Sequence, residues 1–122
     1  MNLLAVAVAT VAAFVASSTY YSVLSFAPAE GKAERPPVWK ILVELLRSGV
    51  VTVAFALAIG ELGITGVGGV LLFALVVWLA FPVAILSGSI LWENVPFRTA
   101  ALHAGDWLMK SVLLALVVGL WQ

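Results

Sequence analysis

A chain of 122 residues, 64% of them hydrophobic and only 10% charged, has too few polar groups to cover a water-facing surface; soluble domains are typically about 45–50% apolar and about 25% charged. Six basic and six acidic residues cancel, and no basic tract points to a nucleic-acid partner. The absence of cysteine excludes disulfides, thiolate catalysis and thiolate-bound zinc, and composition leaves an integral membrane protein, with the lipid bilayer as its first partner.

The first apolar run extends from Leu3 to Leu24. As a helix it is about 33 Å long, enough to cross a hydrocarbon core of about 30 Å. Small residues at Ala16, Ser17 and Ser18 resemble a signal-peptide cleavage region. However, no basic residue precedes the run, and it continues through Tyr20, Tyr21 and Phe26. The reading is therefore an uncleaved transmembrane helix. Ala5, Ala9 and Ala13 recur every four residues and Ser17 continues the row, a pattern that lets membrane helices approach closely. The polar patch Ser17, Ser18, Thr19, Tyr20 and Tyr21 reads as an interfacial belt.

From Ala27 to Pro37, prolines and charges (among them Glu30, Lys32, Glu34 and Arg35) predict a loop. Pro36 and Pro37 place a helix start just after them, where a missing N–H costs nothing. The second run opens with Lys40, Glu44 and Arg47 and is purely apolar from Val50 to Ile59. Glu44, Arg47, Ser48 and Thr52 share one face of it, and Ala54 and Ala58 offer another small-residue row. Gly60, Gly63, Gly66, Gly68 and Gly69 mark its end and a tight turn. No Lys-Ser or Lys-Thr follows them, so they are not a phosphate loop. The third run contains Pro82, which frees a backbone carbonyl and kinks a helix; Ser87 and Ser89 are the nearby candidates to bond it.

The fourth run, Thr99 to Trp121, is apolar yet carries His103, Asp106 and Lys110. At 3.6 residues per turn the three fall within an arc of about 60°. An ionisable group inside a bilayer costs from about 2.5 kcal/mol upward, so this stripe must face protein or a water-filled cavity. Histidine changes charge near neutral pH, which suits a proton-handling site. Asp106 and Lys110 stand at the spacing of a helical ion pair, which equally suits a structural salt bridge. Since the charged end of the second span lies at the same depth, one buried network of Glu44, Arg47, His103, Asp106 and Lys110 is expected. The alternative for Arg47 is that it snorkels to the headgroups. A single histidine without a second ligand at helical spacing makes a metal site unsupported. No serine stands ready as a nucleophile, so neither an enzyme nor a cofactor is expected.

Short connectors predict antiparallel neighbours and an all-α, up-down four-helix bundle in one domain of residues 1–122, with spans at roughly 3–24, 40–62, 69–91 and 99–121. Lys32, Arg35, Lys40 and Arg98 fall on one side and no Lys or Arg falls on the other. The positive-inside rule then puts both termini outside the cytoplasm, with Trp39 and Trp92 at the inner interface and Trp121 at the outer one. A bundle this small has too little interior for a wide pathway, so a homo-oligomer is expected. Two function classes follow: permeation of a proton or small solute, or a non-catalytic accessory or assembly subunit of a larger membrane complex.

The ends of the chain carry a resemblance. Asn2-Leu3-Leu4-Ala5-Val6 with Tyr20-Tyr21, and Leu91-Trp92-Glu93, Pro96, His103-Ala104-Gly105-Asp106-Trp107 and Gly119-Leu120-Trp121, resemble a bacterial membrane family known as domain-of-unknown-function family 1761. In that family a tyrosine often follows the His-Ala-Gly step, where this chain has Asp106. The resemblance implies four spans in a small stand-alone protein of the inner membrane, and no assigned activity.

Overall fold

The computed structural model describes residues 1–24 and 37–121. Most of the expected loop Ala27–Pro37, with Lys32 and Arg35, lies outside the described residues. Four helices among those described are long and apolar enough to cross a membrane. They are α1 (Leu3–Leu24), α2 (Val38–Glu61), a third span Gly66–Glu93, and α5 (Phe97–Leu120). The third span is divided into α3 (Gly66–Trp78), a π-helical turn Leu79–Val83, and α4 (Ala84–Glu93). The architecture is an all-α membrane bundle; the first span matches the sequence boundaries, the third is longer at both ends, and the second and fourth start two residues earlier and end one earlier.

Local chemistry sets the helix ends. The Asn2 side chain accepts the Ala5 N–H at 3.1 Å and caps α1. Pro37, in extended conformation, starts α2. Gly63 adopts a left-handed φ of 65° and ends α2. The Ile64 N–H then reaches the Ile59 carbonyl and the Gly63 N–H the Gly60 carbonyl, which satisfies two carbonyls of the last turn. Pro82 lies inside the π turn, so a wide turn accommodates the missing donor. Ser87 and Ser89 do not serve it. They donate to the Ala84 and Ile85 carbonyls, because a helical hydroxyl reaches only three or four residues back.

α5 is the central helix and packs against α1, α2 and the third span, while α1 also packs on α2. α2 and α3 are consecutive but do not approach closely along their backbones. They meet through side chains, Phe55 and Phe73 making an edge-to-face pair 5.4 Å apart. Close packing follows small residues: Ala5, Ala9 and Ala13 are all but fully buried, and so are Ala74 and Ala115. The Ala54–Ala58 row behaves otherwise. Ala54 is exposed, and Thr52, Phe55, Ala56 and Ile59 are the buried face of α2.

These packed residues lie toward one end of the bundle. Ala9, Ala13, Phe55, Ile59, Val70, Ala74, Leu114, Ala115 and Val118 form a continuous apolar core in the half that holds the α2–α3 turn. The other half, at the end of α1 and the starts of α2 and α5, holds the polar side chains. Trp39 and Trp92 are exposed at that end and Trp121 at the opposite one.

Candidate functional site

The row Ala5, Ala9, Ala13 is the buried face of α1, which packs on α5 and α2, and the next step of the row is Ser17. Its hydroxyl donates to one Asp106 carboxylate oxygen at 2.7 Å. The other oxygen pairs with Lys110 Nζ at 2.8 Å. Asp106 is 2% exposed, so both oxygens are satisfied out of solvent. Lys110 Nζ also lies 4.0 Å from the Trp107 ring centroid, a cation–π contact. One turn nearer the helix start, Tyr21 Oη and His103 Nδ1 are 2.6 Å apart. That contact joins two groups that can each donate or accept a hydrogen bond, the roles set by the imidazole tautomer.

Two further links fix this stretch of α5. Tyr20 donates to the Leu102 carbonyl at 2.7 Å, and Trp78 Nε1 donates from the third span to the Ala104 carbonyl at 2.8 Å. Gly105 leaves the space that Tyr20 needs: a Cβ there would collide with the Tyr20 hydroxyl.

The expected single network of five is divided. Asp106 and Lys110 form one buried pair, His103 is exposed and pairs with Tyr21, and Glu44 and Arg47 pair with each other while remaining exposed. The cluster is thus buried only at its floor. The cause is which helix lies closest. α1 docks on the α5 stripe through small residues, whereas the start of α2 stands off and leaves space. That space is a cavity of about 350 Å³ bordered by all five residues, together with Ser17, Ser18, Tyr21, Ser48 and Trp107. A polar cavity of this size can hold several waters. Ser17 and Tyr21, read from sequence as interfacial belt, border the site; their signal was Ser17 continuing the alanine row. Thr19 and Ser22 instead bond carbonyls of their own helix. Thr52 shares the α2 face but is buried and donates to the Ser48 carbonyl.

Comparison with curated proteins and with solved structures finds no match. A family match does exist, and it runs through the middle of the chain as well as the ends that carried the resemblance. Residues 4–119 fit the family described as protein of unknown function (DUF1761), and this chain with four candidate membrane spans belongs to that family.

Proposed function

We propose that this protein passes a proton or a small polar solute through the membrane as a homo-oligomer. The observation that carries this reading is the one-sided cavity. Its wall holds a phenol–imidazole pair, its floor a buried Asp106–Lys110 pair, and beyond the floor the apolar core fills the bundle. Ionisable groups at membrane depth are costly and mark pathways for ions or protons. The apolar core fills the far half of one chain, so the reading places the rest of the path along an interface between copies. In the proposed orientation the cavity opens to the cytoplasm.

The test is proton flux in liposomes with an internal pH dye. Wild type dissipates an imposed pH gradient, and His103→Ala, an exposed position that folding tolerates, slows dissipation at least about tenfold, within the range of a single proton-transfer group. Wild-type flux equal to that of empty liposomes defeats the proton reading, and equal swelling of protein-loaded and empty liposomes in small polar solutes defeats the solute reading. A monomer in mild detergent and in nanodiscs alike defeats the homo-oligomer.

A second reading has its own observation. Among the described residues, every buried side-chain nitrogen and oxygen has a hydrogen-bond partner. Such complete pairing suits an accessory subunit whose stripe pins α5 in place. It predicts no flux, and isolation at fixed stoichiometry within a larger membrane complex.

A further inference from the structure

Where α2 stands off from the third span, a second space opens. It is an apolar cleft of about 320 Å³, bordered by Val51, Phe55, Phe81, Pro82, Ile85 and Trp107. Pro82 and its wide turn lie on its rim, in the middle of the third span. Phe81 and Ile85 are 60% and 64% exposed there, and at that depth the surroundings are hydrocarbon. Water does not fill an apolar space of this kind, whereas a lipid chain does. The volume falls at the lower end of the range for small-molecule sites, about 300–1,000 Å³.

The cleft is not isolated from the polar cavity. A recess of about 50 Å³ lies between them; it shares Val51 and Trp107 with the cleft, and Glu44, Arg47 and Lys110 with the cavity. Trp107 borders all three spaces. An apolar slot therefore leads past one indole to two cations, each set against a carboxylate: Lys110 against Asp106 and Arg47 against Glu44. Arg47 is the available one. Its partner Glu44 is exposed with it, and an exposed pair at this spacing holds weakly, so the guanidinium is free to turn. Side chains lean toward the start of their helix, and α2 and α5 both start at the polar end. Arg47 and Lys110 thus lean toward the headgroup level, and Arg47 has five N–H donors in a fork that matches phosphate.

We propose that the cleft and the recess bind one glycerophospholipid, whose head meets only the Arg47 edge of the cavity. One of the lipid's two acyl chains enters sideways between α2 and the third span past Pro82 while the other stays in the bilayer, Trp107 divides chain from head, and Arg47 holds the phosphate. This site does not depend on solute passage.

Native mass spectrometry of the delipidated protein in a non-phospholipid detergent tests it, with dioleoyl phosphatidylglycerol as the titrant. Wild type retains one lipid per chain. Arg47→Gln removes the phosphate contact, and Ile85→Trp fills the cleft from an exposed position. Each weakens retention about tenfold, as loss of one charge-assisted contact does. Equal retention by wild type and both variants overturns the proposal, since the adduct is then surface lipid. Weakening by Arg47→Gln alone overturns it too, because the site then recognises only a head. So does inorganic phosphate displacing the lipid at comparable concentration, since the chain then contributes nothing. Flux plays no part in this readout: a protein without proton flux that still discriminates between the variants refutes proton passage and retains the lipid site.

Discussion

Asp106 has a cation on one oxygen and a hydroxyl on the other, and its neighbour Lys110 is partly covered, its side chain 14% exposed. Removing one member of a buried pair leaves the other charge without compensation, at about 3–5 kcal/mol. Lys110→Met is therefore expected to lower stability by about that amount in denaturant titration of the micelle-bound protein. Adding Asp106→Asn to it should recover most of the loss, because the neutral amide still accepts from Ser17. At the neighbouring contact, Tyr21→Phe removes one hydrogen bond, with an expected cost of about 1 kcal/mol in the same assay. The α5 half of these contacts was legible from sequence, since helical periodicity shows which residues share a face. It does not show which helix that face meets. Depth alone sets the polar face of Glu44 and Arg47 opposite the stripe, but depth is shared by every span, and the stripe's hydrogen-bond partners are Ser17 and Tyr21 from α1.

Small residues govern how the helices pack. A Cβ on Gly119 would come within 2.5 Å of Val70 Cγ1, and Val70 is fully buried. Gly119→Ala is thus expected to destabilise the α3–α5 contact by about 1–3 kcal/mol, the usual cost of overpacking. Val70→Ala in the same chain should relieve it, a pairing that a double-mutant cycle in micelles would measure. Up-down order was readable from connector lengths, whereas lateral order was not. A short turn forces α2 and α3 to run in opposite directions but permits α5 to pack beside both. Pro82 was recognised as a break. What sequence did not reveal is that a π turn absorbs it, because that depends on where the surrounding carbonyls find donors. Nor could spacing separate the buried row Ala5, Ala9, Ala13 from the equally regular Ala54 and Ala58, since lipid and protein accept a methyl group equally well.

For the molecule as a whole, membrane character and four spans followed from composition and run length, because each span must satisfy its backbone internally and be long enough to cross. Orientation has a direct check, since the chain has no cysteine of its own. A cysteine at Asn94 should react with a membrane-impermeant maleimide only in inside-out vesicles, and one at Gly63 only in intact cells or spheroplasts. The reverse pattern would place the basic connectors outside. The two-part interior has an electrical consequence. Where water enters a protein it carries the potential of its own compartment inward, so a cavity above a close-packed core concentrates the membrane voltage across that core. A full crossing is worth about 2.3 kcal/mol per charge at 100 mV. Most of that work would fall between the level of Asp106 and the α2–α3 turn, and a charge moving only from the cavity mouth to its floor would do almost none.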